Sequence, residues 1–257
     1  MIVISLTGTQ ILRLRPFVPN IQTWRFKSMK YLSLTFFALL SLFFSCQPEG
    51  EQLALFDGQS LEGWEGNPDF FRVEDGAIVA GRLLAAIPQN EFLCTEKEYT
   101  DFELQLEAKL VGPGENGGVQ FRSRRVENSS EMYGYQADIG YINASWIKGF
   151  AHVAEKAEGM PDNARFPLWA ALYDESRRRI PLAVAEPDQV MQNLNEGDWN
   201  VLRVRAEGKR IRIWLNDELM TEYVEEEDVA QTGKIGLQVH SGPPLEVWYK
   251  NIFITEL

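Results

Sequence analysis

The sequence predicts an all-β protein, a sandwich or jelly roll of two antiparallel sheets. Three observations predict it. Apolar and polar residues alternate with a period of two through most of the chain after residue 50. Gly, Asn and Asp turn signals fall between these runs. Helical spacing is limited to one short stretch, PDQVMQNL over 187–194, with Pro187 in its first turn. About 210 residues follow the N-terminal region, enough for one sandwich domain with a sizeable core.

Residues 1–45 read as a signal region. From Met29 the chain runs MKYLSLTFFALLSLFFSC, a Lys followed by an apolar stretch too short to span a bilayer. Residues 1–28 lack this layering, so translation is expected to start at Met29. Ser45-Cys46 has the form of a bacterial lipoprotein signal, with Cys46 as the lipidated residue, 46–52 as a polar tether and the bacterial cell envelope, periplasmic or outer-membrane, as the location. Removing Arg13, Arg15, Arg25, Lys27 and Lys30 with this region leaves 20 basic against 37 acidic residues, a formal charge of −17. So acidic a surface repels phosphate backbones, and no nucleic-acid partner is expected. Cys94, the other cysteine, has no partner for a disulfide and reads as a buried thiol.

A single domain is expected over 53–257. LFDGQSLEGW supplies an N-terminal strand and a turn at Asp57-Gly58. FFRVEDGAIVAG is a hairpin turning at Glu74-Asp75-Gly76, and two strands follow between Phe92 and Leu110. About 140–168 the pattern dissolves, which predicts a loop insertion, either lid or decoration. If it is a lid, Trp146, Phe150, His152 and Trp169 are available to stack on a sugar. Strands resume at WNVLRVRAEG, at KRIRIWLNDELMTEYV with a turn at Asn216-Asp217, at KIGLQVHSG and at LEVWYKNIFITEL.

The stretch Asn116 to Gly140 carries the functional signal. Val119 and Phe121 alternate with Gln120 and Arg122; Tyr135, Ala137 and Ile139 alternate with Gln136 and Asp138. In IGLQVHS, Gln238 and His240 share a face, and in LYDES, Glu175 shares one with Tyr173. Together these predict a hydrogen-bonding floor suited to a polyhydroxylated ligand. Arg177, Arg178 and Arg179 either neutralise the neighbouring acid or form a basic surface patch, the patch being the simpler reading. The paired-carboxylate pattern E-x-D-x-x-E of sandwich glucanases starts at Glu186-Pro187-Asp188 but meets Met191, which argues against that mechanism. Serine-hydrolase, zincin, phosphate-loop and dinucleotide motifs are absent from the sequence.

Six segments, LFDGQSLEGW, NGGVQFRS, GYQADIG, LYDES, DWNVLRVRAEG and IGLQVHSGPPLEVWYKNIFITEL, resemble in order those of the 3-keto-disaccharide hydrolase family. Ala170 stands where that family commonly has Gly. The resemblance implies a concanavalin A-like jelly roll, two antiparallel sheets with one concave ligand face, and cleavage of 3-keto-glycosides. In such a reaction the ketone at C3 acidifies the C2 hydrogen; removing it expels the substituent at C1, and water then adds. This needs a base, a stabiliser for the C3 oxygen and an acid. The expected roles are His240 or Asp138 as base, Arg122 as stabiliser and Glu175 as acid. Gln120, Gln136, Gln238, Tyr173 and Trp169 are expected to bind the sugar. A divalent metal on Asp138, Glu175 or His240 is an alternative electrophile. The competing expectation is a non-catalytic, lectin-like carbohydrate-binding module; an enzyme acting on another oxidised or esterified sugar is a third.

Overall fold

The structure, a computed structural model, describes residues 50–257. The predicted signal region, the predicted lipidation site Cys46 and the first part of the predicted tether lie outside the described residues.

One antiparallel sheet contains β1 (Gln52–Ala54), β3 (Phe71–Glu74), β4 (Ala77–Arg82), β6 (Phe102–Val111), β12 (Asn200–Glu207), β13 (Arg210–Leu215), β14 (Glu218–Val224) and β16 (Leu245–Glu256). Its order is β14-β13-β12-β6-β16-β4-β3, with β1 on β16. The second contains β2 (Trp64–Glu65), β5 (Glu91–Thr95), β7 (Asn116–Arg125), β8 (Met132–Asn143), β10 (Leu172–Glu175), β11 (Ile180–Ala183) and β15 (Lys234–Val239). Its order is β11-β10-β8-β7-β15-β5-β2, with β9 (Arg165–Pro167) on β8. The predicted helix is α2 (Pro187–Asn193). The hairpin turns predicted at Glu74-Asp75-Gly76 and Asn216-Asp217 are present, with positive φ at Asp75 and Gly76 and at Asn216 and Asp217, the twist that hairpins favour.

The core is the product of alternation. Phe102, Leu104, Leu106 and Ala108 of β6 pack with Val119, Phe121, Tyr135, Ala137 and Ile139 of the facing sheet, each large side chain contributing roughly 1.5–3 kcal/mol by leaving water. Tyr249 of β16 crosses this core. Its hydroxyl lies 2.7 Å from Gln238 O and 3.1 Å from Gly118 O on adjacent strands of the opposite sheet. Cys94 is buried beside Phe92 and Met132, and burial pushes its thiol up to about 12.

The 140–168 segment is a packed cap rather than a loop. β8 continues to Asn143, α1 (Ala144–Lys148) follows, a single 3-10 turn spans Ala154–Ala157, and β9 closes it. Ala144, Ile147, Val153, Ala157, Phe166 and Leu168 form its own small core with Ala171 and Val184.

Two of the three arginines after β10 are drawn into an ion pair rather than a surface patch, and Arg179 is exposed. Asp174 points into the protein and is fully buried; Arg177 and Arg178 both bind its carboxylate. Arg178 also binds Glu225, which accepts a 2.6 Å hydrogen bond from the Tyr135 hydroxyl. Burial opposes ionisation of Glu225, but the hydrogen bonds from Arg178 and Tyr135 outweigh it and hold its pKa at about 2. Clamping Asp174 on the inner side fixes the phase of β10, so Tyr173 and Glu175 stand on the other face. Asp174→Ala leaves the Arg177 guanidinium without its carboxylate and Arg178 with Glu225 and Glu227 alone. It is expected to cost about 3 kcal/mol of stability, read as a lowered midpoint in urea unfolding.

Candidate functional site

The polar side chains on the outward face of the second sheet are themselves largely buried, with the cap packed against β8, and most of them bond one another. Gln120 donates through Nε2 to Gln136 Oε1 at 3.0 Å, and Gln136 donates through Nε2 to Asp138 Oδ1 at 2.7 Å. Ser123 Oγ, bonded to Gln120 Oε1, ends the chain. Gly118 makes room for it: a Cβ there would sit 2.5 Å from Gln136 Cδ.

One end of this row opens into a hollow of about 160 Å³ lined by Asn116, Gln136, Asp138, Tyr173, Glu175 and His240, with Ile142, Trp146 and Leu168 as its cap-side wall. Trp146 packs against Tyr173 with ring centroids 5.7 Å apart. The strand register orders the ionisable groups. Glu175 pairs with Gly134 and Tyr173 with Gln136; Asp138 pairs with Gly118, and Gly118 with Gln238; His240 lies two residues beyond Gln238. Asp138 is thus central, with Glu175 and His240 towards opposite ends.

The electrostatics separate these groups. Burial pushes the Asp138 carboxyl well above the usual range against the hydrogen bond from Gln136, and Glu175 adds to the rise. Burial also raises Glu175 to about 7, with a contribution from Glu131. The Tyr173 hydroxyl is raised by burial and by the two acids, and stays protonated. His240 Nδ1 is 2.7 Å from Ser241 O. A carbonyl only accepts, so Nδ1 carries the proton and Nε2 is left for proton exchange.

Gln136, Asp138, Tyr173, Glu175 and His240 therefore meet in one hollow. Gln120 and Gln238 stand on the same face beneath it, and neither amide atom of the buried Gln238 has a partner. Two expected residues are elsewhere. A β-bulge between Phe121 and Arg124, with Arg122 at φ +47°, reverses the phase of β7. Arg122 instead donates to Thr100 O, Gly208 O and Asp101 Oδ1, at 2.7, 2.6 and 2.7 Å. Trp169 is buried in the sandwich core, its Nε1 unpartnered; Trp146 is the tryptophan at the hollow. Asn116, Ile142 and Leu168 were not singled out by sequence reasoning. Asn116 opens β7 ahead of the alternating run, and the other two belong to the segment without periodicity.

A divalent cation on Asp138, Glu175 or His240 was the alternative electrophile; among the described residues no three His, Cys, Asp or Glu side chains converge as a metal site.

Residues 51–255 match the 3-keto-alpha-glucoside-1,2-lyase-like domain. The chain belongs to that family. Membership makes it a carbohydrate-active domain of glycosyl hydrolase-like type. Two solved structures from Parabacteroides distasonis, each described as a candidate glycosyl hydrolase, share its fold. One is 19% identical, covering 81% of this chain and 94% of the other; the second is 21% identical, covering 80% and 100%; both have a TM-score of 0.54. A Bacillus subtilis protein of unknown function with a galectin-like fold is similar at 9% identity and TM-score 0.54, covering 82% and 97%. No curated protein matches by sequence.

The raised Glu175 pKa has a consequence for stability. A carboxyl held above its unfolded value contributes stability below about pH 4.5 that is lost as pH rises through about 7. Glu175→Gln removes that loss. Thermal unfolding should show the variant more stable than the parent at about pH 8 and level with it at about pH 4.

Proposed function

We propose that this domain cleaves glycosides carrying a ketone at C3, by elimination followed by hydration. The observation that carries the reading is that Glu175, Asp138 and His240 line one hollow, which supplies the three kinds of group the reaction needs: a base, a stabiliser for the C3 oxygen and an acid.

Asp138, central and buried, takes the C2 proton; a carboxylate with a raised pKa is a stronger base than an exposed one. The electron pair moves onto the C3 oxygen. Glu175, still protonated in part near neutrality, donates a hydrogen bond to that oxygen, the role expected of Arg122. As the C3 carbonyl re-forms, a C1=C2 double bond forms, the C1–O bond breaks, and His240, entering the step with both ring nitrogens protonated, passes the Nε2 proton to the departing oxygen and keeps the one on Nδ1. Water then adds across C1=C2, returning hydroxyl to C1 and hydrogen to C2. Gln136 holds Asp138 in place, and Trp146 with Tyr173 offers an apolar wall to the ring. A buried amide without partners is costly by roughly 1–3 kcal/mol, so Gln238, which is buried beneath the hollow and does not line it, is a place for an ordered water.

The pH profile tests Glu175. kcat/KM on a 3-keto-glucoside should fall as pH rises through about 7, as the donor loses its proton. Glu175→Gln keeps an N–H donor and should abolish that limb, whereas a limb that persists in the variant assigns it to another group. Asp138→Asn should lower kcat by roughly 10²–10⁴ while the ligand still binds in calorimetry. A domain that binds the 3-keto sugar and returns it intact is a lectin-like module, and the catalytic reading fails.

A further inference from the structure

Beyond the bulge in β7, the end of the β7–β8 hairpin folds across the outward face of its neighbours. Met132, the first residue of β8, packs on Phe92 and Cys94 of β5. Gly236 of β15 leaves the space it occupies, since a Cβ there would lie 2.6 Å from the Met132 sulfur. This carries Glu131, half-buried and just ahead of β8, to Asn90, just ahead of β5.

A series of hydrogen bonds runs from that contact to the hollow. Asn90 donates through Nδ2 to the Glu131 carboxylate, 3.2 and 3.5 Å from its two oxygens. Asn90 Oδ1 accepts the Ser241 backbone N–H at 2.9 Å. Ser241 O in turn accepts from Nδ1 of His240 at 2.7 Å. A carboxylate only accepts, so it turns the amide NH2 of Asn90 towards itself and the amide oxygen towards Ser241. Ser241 is thereby held by its N–H while its carbonyl meets the imidazole.

The same carboxylate acts on Glu175. The groups facing Glu175 are Asp138 and Tyr173 from the sheet, Arg179 from the turn after β10, and Glu131 from the hairpin. Glu131 adds to the rise that burial causes, and Arg179 opposes it. A like charge disfavours a second ionisation nearby.

We infer that Glu131 is a positioning residue for both proton donors of the hollow, orienting His240 through Asn90 and Ser241 and setting a negative charge against Glu175. The inference rests on the elimination reading only in calling these two groups proton donors; the contacts themselves do not depend on it.

Nuclear magnetic resonance of the ligand-free protein tests each arm. Glu131→Gln removes the charge and keeps a side-chain oxygen for Asn90. Glu175, followed by its carboxyl-carbon shift, should titrate lower than in the parent by about half a pH unit or more, while the ring-nitrogen shifts of neutral His240 still place the proton on Nδ1. Asn90→Ala keeps the charge and cuts the series, and the His240 shifts should move to an average of both tautomers. Asn90→Ser, too short to span both partners, serves should the alanine variant fold poorly. A parent-like Glu175 titration in Glu131→Gln, or a neutral His240 still confined to the Nδ1–H form in the Asn90 variants, overturns the inference. On a 3-keto-glucoside, Asn90→Ala should lower kcat about tenfold with KM unchanged, and Glu131→Gln should move the alkaline limb of kcat/KM to lower pH. Parent-like kcat in Asn90→Ala, or an unmoved limb in Glu131→Gln, also overturns it. Absence of turnover by the parent overturns the elimination reading instead, and the resonance shifts then decide the inference alone.

Discussion

The hydrogen-bond chain from Ser123 through Gln120 and Gln136 to Asp138 is the constraint on which the site depends. A sandwich sheet ordinarily buries one face and leaves the other to water. Here both faces of β7, β8 and β15 are buried. Amides and a carboxyl in that position are stabilised by taking one another's donors and acceptors, as Gln120, Gln136 and Asp138 do, while Gln238 stands without a protein partner. The bond from Gln136 holds one oxygen of Asp138, and the glycine at 118 gives the glutamine its lying-down pose. The same covering that makes these bonds necessary also perturbs the acids, because it removes the water that would solvate their charges.

Two further devices set the geometry around that chain. The Asp174 clamp decides which way β10 faces, delivering Glu175 and Tyr173 to the hollow as the by-product of an inward ion pair. The cap supplies a wall of its own, packed on a separate small core, so Trp146 is positioned by Phe150 and Ile147 as much as by the sheet. The electrostatic and apolar halves of the hollow thus come from different parts of the chain, which meet where β8 runs on into the cap and pairs with β9.

Much of this was legible as alternation. A period of two identifies which residues share a face without knowledge of strand order, and it brought Gln136, Asp138, Tyr173, Glu175 and His240 together correctly in space. The same rule failed at Arg122 because a bulge inserts a residue whose presence the pattern does not announce; beyond it the parity is reversed, and Ser123 stands where the arginine was expected. Trp169 was misplaced for a different reason. It follows a segment without periodicity, and only the pairing of β9 with β8 decides which tryptophan is taken into the core. The arginine run after β10 resembled a solvated surface because sequence cannot show that Asp174 turns inward. The bulge, the strand pairing and the inward ion pair are all long-range or phase-changing features, invisible to a local reading.

Tyr249 is the feature whose consequence reaches furthest beyond its own contacts. A phenol hydroxyl rooted in one leaf of the sandwich and seated on two neighbouring carbonyls of the other acts as a dowel through both. The leaves cannot slide past each other without pulling that peg into hydrocarbon. The backbone beneath Asp138 and Gln238 is therefore registered against the whole thickness of the protein before any sugar arrives, and the recognition surface is already assembled when its visitor comes.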